Sequence, residues 1–252
     1  VDYARHIWPS LTVVKLDGKA YWGGAINAVI DYVRVHFLSL SDEGLYLLAN
    51  DDIRFCSREA LMSALNTVRA NSIVCAREIM VPTLNQGVDR ICDSTLGVSS
   101  GIYYDADAGI FCEAKENAVP NVASTWAMLS TKEAWLMADK VPSAIPHYLS
   151  DYWLTYNLTR RGFALVQPPG FACYVSIKST RNNPYTKESF DNWYQKLKII
   201  SRGLIEKTSP SYAPAWIRFW SHAPVSTVIR KKIFSLRLRF FVAKLVSILL
   251  NI

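Results

Sequence analysis

Tyr46-Leu47-Leu48-Ala49-Asn50-Asp51-Asp52-Ile53 is the stretch that decides the fold. Mostly apolar residues lead straight into an amide and two adjacent carboxylates, the pattern of a buried strand ending at a polar crevice. In open α/β sheets, ligands gather beyond the carboxyl ends of the strands. Hard oxygen donors at that edge suit Mg²⁺ or Mn²⁺ bridging to a substrate phosphate. The same residues also read as an acidic turn before a helix, with Ser57 as its N-cap and Glu59 in its first turn, favouring the positive helix end.

Upstream, Leu11-Thr12-Val13-Val14-Lys15-Leu16 has the β-branched centre of a strand, and Asp17-Gly18 is a turn signal behind it. The period then changes. Gly23-Gly24 opens a stretch in which Ile26, Val29, Ile30, Val33 and Phe37 recur at helical spacing. Glycines between a strand and a helix let the backbone approach a ligand closely, and a helix N-terminus favours anions; a tight turn uses the same pair. Downstream, a helix is expected over about residues 57–69, then a strand at Ile73-Val74-Cys75-Ala76. Alternating strands and helices predict an α/β fold with a mostly parallel sheet and helices on its faces. Residues 82–120, with scattered glycines and no sustained period, read as a meander of short strands covering the site.

Ser130-Thr131-Lys132-Glu133 has the capping-box pattern, predicting a helix through about Asp139. Beyond Pro142 and Pro146, Ser150 is placed to cap a helix that Gly162 ends, with Arg160 and Arg161 complementing its negative terminus. Asp151 then falls in the first turn. There a carboxylate either stabilises the helix dipole or serves as a general base presented from a rigid helix start into the crevice of Asp52.

A chain of 252 residues that is 50% hydrophobic and 19% charged can bury a large core, so disorder is excluded and one main domain with a C-terminal extension is expected. Cys56, Cys75, Cys92, Cys112 and Cys173 are odd in number, widely spaced and without a Cys-x-x-Cys pair. They read as small buried hydrophobes in a reducing compartment, neither zinc ligands nor a disulfide framework. No basic segment followed by an apolar run marks a signal peptide, and the chain starts at Val1 as though already inside a folded unit. The net charge of +7 concentrates after residue 196, on the terminal helix and not among the aromatics, which argues against nucleic acid as a partner.

Tyr21-Trp22-Gly23-Gly24-Ala25-Ile26-Asn27, Leu47-Leu48-Ala49-Asn50-Asp51-Asp52-Ile53, and Pro146-His147-Tyr148-Leu149-Ser150-Asp151-Tyr152 with Arg160-Arg161-Gly162-Phe163 follow one another over about residues 11–170. In order and interval they look like the landmarks of glycosyltransferase family 2. Within it the chain most resembles the bacterial rhamnosyltransferase-like enzymes that build O-antigen, capsule or other surface polysaccharide. The resemblance implies a GT-A, Rossmann-like fold over residues 1–178; the residues beyond it read as a helical and aromatic extension over 179–228 and a basic amphipathic helix over 229–252.

It further implies that Asp52, with Asn50 or Asp51, holds a divalent Mg²⁺ or Mn²⁺ on the diphosphate of a nucleotide-sugar donor. Asp151 matches the catalytic base, taking a proton from the acceptor hydroxyl of a glycan or lipid-linked glycan. Gly23, Gly24 and Asn27 fall on the nucleotide side by family position. The chain departs from the family in two places. It begins after the strand–helix–strand unit that holds the nucleoside base, and Phe171-Ala172-Cys173-Tyr174-Val175 lacks the metal-binding His of many relatives. His147 and His222 are the other histidines of the second half, and neither is assigned to the metal. A catalytically silent, scaffolding relative is the alternative that these departures leave open.

After a polar loop at Ser179-Thr180-Arg181-Asn182-Asn183-Pro184, residues 188–205 read as a helix with Trp193, Leu197 and Ile200 on its buried side; Tyr212, Trp216, Phe219 and Trp220 then gather either as core or as an exposed cluster for a lipid-linked acceptor. From residue 229 onward Arg230, Arg237, Lys244 and Asn251 repeat every seven residues, and Phe234, Leu238, Phe241, Leu245, Ile248 and Ile252 form a wide apolar face. The run from Phe240 is 13 residues and contains Lys244, below the ~20 apolar residues a spanning helix requires. Such a helix either lies on an anionic membrane, at the cytoplasmic face in a bacterium, or packs on the domain or a second subunit.

Overall fold

The computed structural model describes residues 6, 12–17, 19–36, 44–81, 102–113, 119–176, 193–222 and 226–249. At its centre is a sheet of four strands in the order β1 (Leu45–Ala49), β7 (Ala127–Thr131), β3 (Ser72–Cys75) and β8 (Ala164–Val166). A second sheet joins β2 (Ile53–Phe55), β9 (Ala172–Ser176) and β4 (Arg77–Val81), and β5 (Ile102–Asp105) with β6 (Ile110–Glu113) forms a hairpin.

The α/β class holds, but the pairing is mixed. β3 runs parallel to β8 and β4 to β9, whereas β7 is antiparallel to both of its neighbours. β1, β3 and β8 therefore share one direction, and β7 is reversed between them. The cause is its approach: residues 123–126 feed β7 from the edge at which β1 and β3 end, and no crossover helix returns the chain to the far edge among the described residues.

Neighbouring residues of a strand face opposite sides, and this sorts the core. Ile73, Cys75, Met128 and Leu165 meet α1 (Tyr21–His36) through Ile26, Ile30 and Val33, and α4 (Ser150–Arg160) through Trp153 and Leu154. On the other face Val74 and Leu129 meet Ala60 and Ala64 of α2 (Arg58–Thr67), with Phe171, Cys173 and Val175 beside them. Burial of each large aliphatic side chain in these layers contributes roughly 1.5–3 kcal/mol.

Several local expectations are met. Ser57 caps α2, accepting from the Ala60 N–H at 3.3 Å, and Glu59 sits in its first turn. Glu59 is held below the usual carboxylate range by hydrogen bonds from its own backbone N–H and from Ser57. α4 ends at Arg160, ahead of Gly162, and Arg161 pairs with Asp139 at 2.7 Å.

Others are corrected. Residues 12–17 join no sheet among the described residues; they lie beside α1, with an open hollow of about 340 Å³ between Val14, Leu16 and Ala25, Val29. Ser130 is no cap: it is a buried residue of β7, and Thr131, the N-cap of the short α3 (Lys132–Met137), makes no capping bond and donates its hydroxyl to the Ala70 carbonyl. Ser150 is the first residue inside α4, so its hydroxyl donates backwards to the His147 and Ile145 carbonyls. Cys75 and Cys173 are buried as expected, but Cys112 is exposed on the hairpin. The expectations on residues 82–101, on Cys92 and on the loop at 179–184 lie outside the described residues.

Three helices complete the chain. α5 (Trp193–Ile205) buries Ser201 and leaves Ile200 half exposed, so its inner face is rotated from the expected one. α6 (Ala213–Trp220) inserts Ala215 and Phe219 into the main core. α7 (Thr227–Leu249) lies against both and seats its first turn on the β5–β6 turn. There Ser226 donates to the Asp107 carbonyl, Lys232 donates to the Ala108 carbonyl, and Ile229 covers Gly109, whose φ of +61° and lack of a side chain make room for it. No described helix is long and apolar enough to cross a membrane.

Candidate functional site

The chain leaves the four-stranded sheet for the three-stranded one at a single edge. It crosses at Asn50-Asp51-Asp52 between β1 and β2, at Ala76 between β3 and β4, and at residues 167–171 between β8 and β9. Backbone bonds fasten this edge: Asn50 N–H to the Trp126 carbonyl at 2.9 Å, Ala76 N–H to Ala127 at 2.8 Å, and Arg77 N–H to Phe171 at 2.9 Å. Strands of one direction end where the two sheets part, and a crevice at such a junction is the usual place for a ligand in an α/β protein.

Asp151 lies on this crevice. Its Oδ1 accepts from the Thr125 hydroxyl at 2.8 Å and from the Trp22 indole N–H. Thr125 is adjacent to Trp126, the residue that ties down Asn50, so the carboxylate and the Asn50-Asp51-Asp52 corner are fixed by one short segment. Both bonds depend on helix starts in uncommon backbone conformations. Leu149, capping α4, has φ +69°, and Tyr21, opening α1, has φ +49°. A left-handed backbone at a bulky residue is strained by about 1–3 kcal/mol and survives only where the surroundings impose it.

Gly23 is one of the surroundings that do so. Its N–H donates to the Pro146 carbonyl at 2.8 Å, and a Cβ there would stand 2.6 Å from the Ile145 carbonyl oxygen. The close approach that glycine permits is therefore to the 145–146 backbone, and it brings Trp22 onto Asp151. Gly24 lies one residue further into the helix, its N–H bonded to the Ala20 carbonyl. Asn27 grips the Val141 backbone from both sides, donating to its carbonyl at 2.8 Å and accepting from its N–H at 2.7 Å. Of the three expected nucleotide-side residues, Gly23 and Asn27 thus hold the loop before α4 in place, and Gly24 lies within α1.

Burial pushes the Asp151 carboxyl above its ordinary range, against the pull of the Thr125 and Trp22 hydrogen bonds. A second carboxylate, Glu78 on β4, shares the crevice. It is reached by solvent yet ringed by protein, and burial raises it too, with the negative charge of Asp151 adding to the effect and the nearby Ser124 hydroxyl and Trp126 indole opposing it. Tyr152, next to Asp151, is pushed up to about 12 by burial and by these two carboxylates. A desolvated acid whose charge also raises a second carboxyl is a marker of functional sites.

Glu78 was missed in the sequence because it follows the apolar β3 inside what looks like one long strand. The signal was the Arg77-Glu78 pair just past an apolar run. Arg77 is itself engaged, its Nε donating to the Gln167 carbonyl at 2.8 Å, which leaves Glu78 as the charged residue of the pair on the crevice.

At the corner, Asp51 is exposed, Asp52 partly buried, and the buried Oδ1 of Asn50 has no hydrogen-bond partner among the described residues. No three His, Cys, Asp or Glu gather into a metal cluster among the described residues. An unpartnered amide oxygen beside two carboxylates nonetheless fits Mg²⁺, which takes one or two protein carboxylates and completes its shell with water and substrate phosphate.

The histidines serve the fold. His147 packs between the Tyr21 and Tyr148 rings, and His222 lies on Trp153 with ring centroids 4.2 Å apart and bonds the Asn157 side chain. Burial lowers both below the ordinary histidine value, and Arg160 and Arg218 lower His222 further.

No protein-family model and no curated protein matches the chain.

Proposed function

We propose that the crevice is the active site of an inverting glycosyltransferase of the hexosyltransferase type. It moves a sugar from a nucleoside-diphosphate donor to a hydroxyl of a growing surface glycan of the O-antigen or capsule kind. The observation that carries this reading is Asp151: a desolvated carboxylate at the start of a packed helix, oriented by Thr125 and Trp22, beside an Asn-Asp-Asp corner at the carboxyl ends of the strands.

The chemistry follows from its surroundings. A carboxylate whose proton affinity is raised by burial is a stronger base than one in water. Asp151 accepts the proton of the acceptor hydroxyl as that oxygen bonds to the anomeric carbon. The bond from that carbon to the diphosphate breaks on the opposite face, so the configuration inverts. Thr125 and Trp22 keep the carboxylate from turning away, since both donate to the same oxygen. Mg²⁺ or Mn²⁺, held through Asp52 with Asn50 or Asp51, would supply positive charge for the diphosphate. Glu78 is placed to accept hydrogen bonds from acceptor hydroxyls. This function puts the protein on the cytoplasmic face of a bacterial membrane.

The test is turnover of a panel of nucleotide sugars with Mn²⁺ or Mg²⁺ by the chain and by its Asp151→Asn variant. Turnover reduced by about 10²–10⁴ in the variant is the expected result. No turnover from any donor, combined with no nucleotide binding by calorimetry, overturns the reading in favour of a silent scaffold.

A further inference from the structure

α7 has two apolar faces, and the protein covers one. Ile229, Ile233 and Ala243 are buried against the rest of the molecule. Phe234, Leu238, Phe241, Leu245 and Ile248, spaced alternately four and three residues apart, form a continuous stripe on the opposite side. They are open to solvent, Phe234 at 71% and Ile248 at 72% of their full surface. A stripe of this length is larger than scattered surface hydrophobes and marks a contact surface.

The charges along its borders choose the contact. Arg230, Arg237 and Lys244 repeat at seven-residue spacing along one shoulder, and Arg239 lies on the other. Residues 226–252 contain no acidic side chain, and these cations form no ion pair among the described residues. Beside the Arg239 shoulder, an open hollow of about 400 Å³ is lined by Trp220, Lys231, Lys232 and Arg239, with Lys232 anchored on the hairpin carbonyls. A second copy would set two cationic borders against each other, and a hydrophilic polyanion would leave the aromatic stripe wet. Apolar side chains between cationic shoulders match an anionic bilayer, where the stripe enters the acyl boundary and the basic side chains reach outward to phosphates.

We infer that α7 is a membrane-docking helix, lying in the plane of an anionic phospholipid surface with Phe234, Leu238, Phe241, Leu245 and Ile248 inserted and the Lys231–Arg239 hollow taking a headgroup phosphate. The inference rests on the helix alone and deepens the proposed function by giving that crevice a lipid surface to work beside.

Flotation of the full chain with phosphatidylglycerol-containing vesicles, against phosphatidylcholine vesicles, tests it. Binding to the anionic vesicles alone is expected, weakening at least about tenfold when Leu238 and Phe241 are both changed to Asp and again when Arg230, Arg237 and Arg239 are changed to Glu. All five side chains are exposed, so circular dichroism and thermal midpoint should stay as in the parent chain. Unchanged flotation in either variant overturns the inference. So does the absence of flotation accompanied by a concentration-dependent dimer that the Leu238 and Phe241 changes dissolve, which makes a second copy the occupant. Turnover on a water-soluble acceptor is indifferent to these variants, so a failure here is distinguishable from failure of the transferase reading.

Discussion

Replacing Asp151 by Asn should separate chemistry from folding. The amide keeps an oxygen in the place of Oδ1, so Thr125 Oγ1, now at 2.8 Å, and the Trp22 indole retain their acceptor. What is lost is the ionised carboxylate that burial disfavours. Stability at neutral pH should therefore change by less than about 1 kcal/mol, or rise, and the thermal midpoint should stay within about 4 °C. Turnover should fall by about 10²–10⁴ if Asp151 is the base.

Alanine at the same place gives the contrasting result. It strands two donors at about 1–3 kcal/mol each, lowering the midpoint by roughly 5–20 °C. The pH dependence has a definite sign. The folded-state value lies above the unfolded one of about 3.9, so the stability linked to Asp151 is fully present below that value and is lost as pH rises through the folded value. Relative to Asp151→Asn, the parent chain should lose stability on going from about pH 4 towards neutrality. Turnover undiminished in Asp151→Asn would remove the base; an unaltered midpoint in Asp151→Ala would show that the Thr125 and Trp22 bonds do not hold the site.

Three further changes probe the supports of the crevice. Gly23→Ala forces a methyl to within 2.6 Å of the Ile145 carbonyl and should cost about 1–3 kcal/mol in chemical denaturation, while an equally stable variant would mean the contact between α1 and the 145–146 loop is loose. Asn27→Leu leaves both polar groups of Val141 without their partner; a loss of about 1–3 kcal/mol is expected, and wild-type stability in guanidinium would contradict the clamp. His222 is held neutral by burial and by Arg160 and Arg218, so its contribution is present above the unfolded value of about 6.5 and is lost as pH falls below it. His222→Gln should flatten the decline in thermal midpoint between about pH 7 and pH 5, and an unchanged slope would assign that decline to other groups.

The helices were legible because their signals are local. Ile26, Ile30 and Val33 recur on one face, and Ser57 stands three residues before the N–H it accepts. Asp151 could be placed in a first turn for the same reason. Strand direction has no such signal: Ala127–Thr131 is equally apolar whichever way it runs, and only the route of residues 123–126 reverses it. The groups that fix Asp151 were invisible for a related reason. Trp22 is 129 positions away and Thr125 is 26, with no periodicity joining them. Gly23-Gly24 shows how one requirement admits two causes, since a missing side chain serves a ligand or a neighbouring backbone equally well.

The reversed strand at the centre of the sheet also bears on how the protein is made. β1 has no sheet neighbour among the described residues until Ala127–Thr131 exists, and β3 gains its second only with Ala164–Val166. At synthesis rates of about 5–20 residues per second, the apolar run at Leu45–Ala49 therefore spends several seconds unpaired while the ribosome completes its partner. The nascent chain is exposed to misassociation throughout that interval. Truncation before β8 should yield insoluble protein, because the half-built sheet presents open edges to its own copies.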